Sequence, residues 1–340
     1  MPNNGLQLSI LITVVSGKDA VRRCLLALRP QVQTVAAEII VPYDQWAVEV
    51  GELAAEFPEA NFHLIADSVA SNVPAHQHRL YDRRRAVGLS LANGQIIAMT
   101  EDHAVPAADW VNQILLAHRQ PFAVIGGAIE NGVDRPMNWA LYYCDFGRYG
   151  SPLPQGEIGY VSDVNVSYKR EALETVRDVW RDEYHETTVH WTMRERGIEL
   201  RLDPGLKVYQ HRPPMTFGKA FRERTEWGRV FAETRVAAIA LQQRIFFAAV
   251  APLLPVVLLA RVAKNMLRQH RTFGQMATTL PLTAGLLIGW AWGEFVGYVS
   301  GAPSLKNDWP VTAAKSQSLF GNSDSEPANA GDRVKPGVKA

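Results

Sequence analysis

Cysteine is nearly absent: in 340 residues only Cys24 and Cys144 occur. A disulfide-stapled scaffold is thereby excluded, and two thiols so far apart in sequence suit a reducing compartment, with the cytoplasm as the default. Charge of a single sign is lacking as well. The 35 Lys+Arg and 34 Asp+Glu nearly cancel to +1, so no general polyanion-binding surface is expected and nucleic acid is not an expected partner. Met1 to Gly5 is polar and puts no basic residue ahead of the first apolar run, so no secretory signal is expected. Charged residues reach only 20% against 47% hydrophobic, which excludes wholesale disorder and, at this length, suggests about two domains.

What is present in the first two hundred residues is an alternation of short β-branched runs with helical stretches, the pattern of an α/β domain with a mostly parallel sheet. Leu8 to Val15 is an almost continuous apolar run, as expected for a strand covered on both faces, and Asp19 to Leu28 follows with helical spacing. Glu38 to Val41, Phe62 to Ile65 and Gln95 to Thr100 read as the next strands. Residues 49–56 and 83–92 read as helices, the latter stopped by Asn93-Gly94.

Further on the charge disappears. Ile245 to Ala260 has none over 16 residues and Thr272 to Gly293 none over 22. The second segment can cross about 30 Å of hydrocarbon, whereas the first is short and holds Pro252 and Pro255, so a re-entrant or interfacial course is expected for it. The loop between them carries Arg261, Lys264, Arg268 and Arg271 without an acid, which keeps it on the cytoplasmic side. A buried helical hairpin of a soluble domain would give the same composition.

Chemistry-bearing residues fall at the ends of these elements. Asp44 follows the second strand, Arg85 closes the run Arg83-Arg84-Arg85, and Glu101-Asp102-His103 follows the fourth strand, with Pro106 and Trp110 beyond. Open α/β sheets bind ligands at that carboxyl edge. Later come Asp163-Val164-Asn165, the run Asp182 to Glu186 with Gly197 after it, His211 after Val208-Tyr209-Gln210, and Arg224-Thr225-Glu226-Trp227 in an amphipathic stretch, Phe217 to Arg235. Plainer roles exist for each: a helix cap for the adjacent acids, a solvated helix start for the arginines and for Glu186, a structural histidine at 211, a core-facing helix for the amphipathic stretch.

In order and spacing these segments resemble the family 2 glycosyltransferases. The resemblance implies a GT-A (Rossmann-like) nucleotide-sugar-binding domain over residues 1–235 that ends in an interface helix, membrane-associated helices over 236–302, and a disordered tail over 303–340. It implies an inverting transfer of sugar from a nucleotide-diphosphate sugar to a lipid-linked or saccharide acceptor of a cell-envelope polysaccharide or glycolipid. Membrane lipid is then a partner, and the catalytic domain faces the cytoplasm.

Carried over residue by residue, Asp44 contacts the nucleotide, Arg85 the diphosphate and Glu101 the donor, while Asp102 and His211 hold a divalent cation, Mn2+ or Mg2+. A hard cation on carboxylate oxygens neutralises the charge that a leaving diphosphate gathers. Asp163, Asn165, Arg224 and Trp227 fall on the acceptor side, and Glu186, with His185 beside it, takes the place of the base. The sequence departs from the family in several places. Tyr43 stands where a second carboxylate is common, Val14-Val15-Ser16 where an aromatic stacks, and His185-Glu186 where Glu-Asp is usual. The Gln-x-x-Arg-Trp element is only partly kept, which argues against polymer extrusion. A non-catalytic membrane-associated protein of the same fold is the alternative. A nucleotidyltransferase is disfavoured because Ser16-Gly17-Lys18 lacks a long glycine-rich loop.

Overall fold

The protein is described by a computed structural model covering residues 5–66, 74–236 and 239–301; the tail expected after Pro303 lies outside these. Nine strands form one sheet in the order β3-β2-β1-β4-β8-β6-β9-β5, with β7 also on β9. These are β1 (Leu8–Thr13), β2 (Ala37–Asp44), β3 (Ala60–Ile65), β4 (Ile96–Glu101), β5 (Ala104–Pro106), β6 (Val124–Asn131), β7 (Gly156–Ile158), β8 (Asn165–Lys169) and β9 (Leu200–Gln210). β1 to β4 are mutually parallel, β8 is reversed against β4, and β6 and β9 regain the first direction. The mixed α/β class with a mostly parallel sheet is therefore as expected. All six residues of β1 are buried, as a strand covered on both faces requires.

Helices α1 (Lys18–Val32), α2 (Pro74–Leu91), α3 (Trp110–Ala117), α4 (Pro136–Asp145), α5 (Arg170–Thr175), α6 (Arg177–Trp180) and α7 (Glu186–Glu195) cover the sheet. The helix expected at 49–56 is instead a 3₁₀ stretch, Gln45–Ala55, broken at Ala47 (φ −137, ψ 38) and capped where the Trp46 amide donates to Asp44 at 3.0 Å. α2 begins nine residues before the expected Arg83, at Pro74, a residue suited to a helix's first turn. Its inward positions near the sheet edge are Asp82, Arg84 and Arg85, all buried, so the apolar period that marks a helix is missing there.

Four further helices follow: α8 (Phe217–Val236), α9 (Leu241–Val250), α10 (Leu254–Arg268) and α11 (Phe273–Ser300). α9 and α10 run on through a 3₁₀ turn, Ala251–Leu253, as one apolar rod, Leu241–Arg268. This corrects the re-entrant expectation. Pro252 and Pro255 each sit in a first turn, where no amide donor is needed, so the chain bends without reversing.

α8 lies alongside α11 in the same direction. Phe217 meets Gly285, Phe221 meets Gly289, the Thr225 backbone meets Gly293 and Ala232 meets Gly297. The α9–α10 rod runs against both: Arg244 donates to the carbonyls of Tyr298 (2.5 Å) and Val299 (2.7 Å), while Val262 and Met266 pack with Met276 and Leu280. Ala140 and Leu141 of α4 join Ala220 and Leu286, which fixes this three-rod module to the sheet domain.

Candidate active site

The edge where β1, β2 and β4 end is also where the reversed β8 begins, since Thr100 is registered with Asn165. Topology thus gathers Asp44, Glu101-Asp102-His103 and Asp163 at one rim. α2 adds two arginines. Consecutive residues on a helix diverge by about 100°, so Arg84 and Arg85 point to different strands.

Arg84 grips Asp44 at 2.9 and 2.7 Å, a fork-on-carboxylate pair, and its third bond goes to the Val14 carbonyl. Arg85 is shared by three acids: Asp82 at 3.0 Å, Glu101 at 2.6 Å and Asp163 at 2.8 Å. One guanidinium cannot neutralise three carboxylates. Burial pushes Asp82 up to about 8, so it is the member that holds a proton, while the surrounding anions hold Arg85 firmly charged.

Asp102 is fully buried, and its Oδ2 accepts the amides of Val15 (2.9 Å), Ser16 (2.7 Å) and Gly17 (3.0 Å). Gly17 turns at φ 94, a region open to glycine, and so can bring the third amide round. The other oxygen, Oδ1, faces His103 Nδ1 at 3.2 Å, and His103 Nε2 faces Glu101 at 3.1 Å. Burial opposes the charge on His103, but Glu101 and then Asp102 outweigh it and raise the imidazole to about 9. In return, against its own burial, His103 holds the Glu101 carboxyl below the usual range.

Of the Asp102 and His211 pair expected to hold a cation, Asp102 gives Oδ2 to the β1–α1 loop and shares Oδ1 with His103, and the His211 ring lies against Gly132, while its backbone donates to the His103 carbonyl at 2.6 Å. Among the described residues no group of three His, Cys, Asp or Glu side chains is placed to hold a metal ion.

On the other flank, Glu186 opens α7. The Asp163 amide donates to its carboxyl at 3.3 Å. Enclosure, then the neighbouring Asp163 charge, push Glu186 well above the carboxylate range. The two acids meet at the rim, with Arg85 holding the Asp163 carboxyl at 2.8 Å. His185 caps α7, its Nδ1 accepting the Thr188 amide at 3.4 Å, and burial lowers its pKa.

Asn165, expected on the acceptor side, works inside the fold. It accepts from the Trp110 indole at 2.9 Å and donates to the carbonyls of Ala128 (2.9 Å) and Leu206 (3.0 Å). Arg224 and Trp227 lie on α8, where Arg224 pairs with Asp145 of α4 at 2.6 Å. The sequence singles out neither Asp82 nor the partners that Arg84 and His103 take up here. Asp82 stands three before Arg85, a helical neighbour spacing that could have revealed the pair.

No family model matches the sequence, and no curated protein matches it. Among solved structures, the chain is similar to a mannosyltransferase from Pyrobaculum calidifontis in complex with GDP-Man and Mn2+, at 14% identity and TM-score 0.41, over 86% of this chain and 74% of that one. It is similar also to a mycobacterial protein, at 14% identity and TM-score 0.43, over 66% of this chain and 74% of that one. The sheet's order and directions define a mixed α/β protein with a mostly parallel sheet and long C-terminal helices.

Proposed function

We propose that this chain is an inverting glycosyltransferase, moving a sugar from a nucleotide diphosphate to an acceptor at a membrane, with the sheet domain on the cytoplasmic side. The observation that carries the reading is the meeting of Asp163 and Glu186 at the carboxyl rim of a mostly parallel sheet, the Asp163 amide donating to the Glu186 carboxyl and Arg85 holding the Asp163 carboxyl. In the reaction the acceptor hydroxyl oxygen bonds to the anomeric carbon as the bond to the diphosphate oxygen breaks. The hydroxyl proton passes to Asp163, the carboxyl beside Glu186 that Arg85 holds. Arg85 holds the Asp163 carboxyl in place at 2.8 Å. Asp44, fixed by Arg84, lies at the end of β2, where the nucleotide would sit. A divalent cation on the diphosphate would take Asp102 Oδ1, the oxygen that faces His103, as a ligand and would neutralise leaving-group charge; no step is routed through it.

A second reading, binding without transfer, is favoured by one observation: Arg85 spends its guanidinium on three acids and presents no free fork to a diphosphate. A single experiment separates the two. The purified full chain is incubated with a panel of labelled nucleotide sugars and a membrane extract. Transfer or donor hydrolysis that is lost in Asp163→Asn supports the enzyme; donor binding with no turnover for any sugar supports the second reading.

A further inference from the structure

α9, α10 and α11 present a broad apolar face that the protein leaves uncovered. Ile245, Phe246, Val256, Val257, Ile288 and Trp292 are all between 46% and 70% exposed. Both rods have the length and composition to cross a membrane. The packing of α8 argues against a crossing. α8 runs beside α11 over the stretch from Gly285 to Gly297, where backbone touches backbone, so the two helices cannot part. Its outward residues Lys219, Arg222, Glu226 and Arg229 recur at three- and four-residue steps and are exposed, one charged stripe along the helix. Were α11 to stand across a bilayer, that stripe would stand in hydrocarbon with it.

The three rods together are thus amphipathic about their common long axis: charge on the α8 side, apolar surface on the other. The apolar side also has a sign. Residues 241–268 hold Arg244, Arg261, Lys264 and Arg268 and no acid, and Arg261 and Lys264 are exposed on α10 beside the apolar surface. The near end of the module is pinned to the sheet domain, where Gln269 donates to the Gly147 carbonyl at 2.7 Å and Arg271 to the Tyr143 hydroxyl at 3.0 Å.

We infer that the α8–α11 module lies lengthwise in one leaflet of an anionic bilayer and that neither apolar rod crosses it. The apolar face enters the acyl boundary, Arg261 and Lys264 meet lipid phosphates, and the α8 stripe stays in water. The inference rests on the cytoplasmic placement of the sheet domain proposed above but not on the sugar chemistry, and none of its readouts measures transfer.

The test uses the full chain. On flotation it should rise with phosphatidylcholine vesicles containing phosphatidylglycerol, and less so with phosphatidylcholine alone or in high salt. The double variant Val256→Asp/Ile288→Asp, checked for a native circular dichroism spectrum, should partition roughly tenfold more weakly. In a variant lacking Cys24 and Cys144, Ala240→Cys reports on the far end of the module. An impermeant maleimide should label it in inverted membrane vesicles and not in intact cells. Labelling in intact cells would show that the module spans, and would overturn the inference. So would failure to float on either vesicle, or a stable dimer without lipid, which would assign the face to a second copy.

Discussion

At the residue scale, Asp102 holds the β1–α1 loop by taking three of its amides on one oxygen. What an acid at a strand end touches depends on which backbone folds over it. Asp102 shows this most clearly: nothing in Glu101-Asp102-His103 foretells that the amides of Val15, Ser16 and Gly17 converge on one of its oxygens. Asp102→Ala should therefore destabilise the protein, by about 3 kcal/mol, since each hydrogen bond to a charged group is worth about 1.5–3 kcal/mol and three partly buried amides lose their acceptor. Urea unfolding measures it; an Asp102→Ala protein of wild-type stability would remove the anchoring role.

The acid pair makes a separate prediction. Burial and the neighbouring Asp163 raise Glu186, so Glu186→Gln changes that carboxyl least, whereas Asp163→Asn removes the carboxyl that Arg85 holds. Turnover should fall by about a hundredfold or more in Asp163→Asn and by clearly less in Glu186→Gln. The reverse order in a turnover assay would make Glu186 the base by itself.

Elements were legible where periodicity is clean and illegible where the inward face is polar or the chain is glycine-rich. β1, β2 and β4 announce themselves by apolar runs. β6 buries Gly126 and Gly127 in mid-strand, against Val161 and Leu206, and those two positions lack the side chains that a pattern needs. α2 was cut short because its inward residues near the rim are charged. In α11 the reverse holds: Gly285, Gly289, Gly293 and Gly297 stand four apart, a spacing visible in the sequence whose partner, α8, is not.

That spacing can be tested at one position with a control on the same helix. A methyl group on Gly293 would press into the Thr225 carbonyl, which is backbone and cannot turn aside, whereas one on Gly274 meets nothing within 4 Å. Gly293→Ala should cost about 1–3 kcal/mol by overpacking, and Gly274→Ala should be neutral or stabilising by up to about 1 kcal/mol from helix propensity. Thermal melts of the two variants in detergent check this. Equal melting points would mean that α8 and α11 are not in backbone contact.

For the whole molecule, the charge buried at one rim sets how stability responds to pH. A net charge of +1 gives no strong self-repulsion near neutrality, so the response is governed by the buried groups. His118 and His190 are buried and lowered to about 4, by desolvation first in each. A lowered histidine stabilises above its unfolded pKa of about 6.5 and loses that contribution only as pH falls, so neither gives any slope on the alkaline side. Asp82 and Glu186 act the other way. Burial raises Asp82 to about 8 and Glu186 well above its ordinary value, so each is protonated in the folded chain and ionised in the unfolded one. Such a group stabilises fully below its unfolded pKa and loses the contribution as pH rises through the folded value. His103, raised to about 9, has the same sign between about 6.5 and 9. The three groups therefore add, and stability should fall by a few kcal/mol between about pH 6.5 and pH 9, where an ordinary domain is nearly flat. Asp82→Asn, neutral at every pH, should show a shallower alkaline decline than the wild type. Urea midpoints at several pH values decide it: a midpoint that is level or rising to pH 9 in the wild type would mean that the acids around Arg85 are ionised together, contrary to the electrostatics described for the rim.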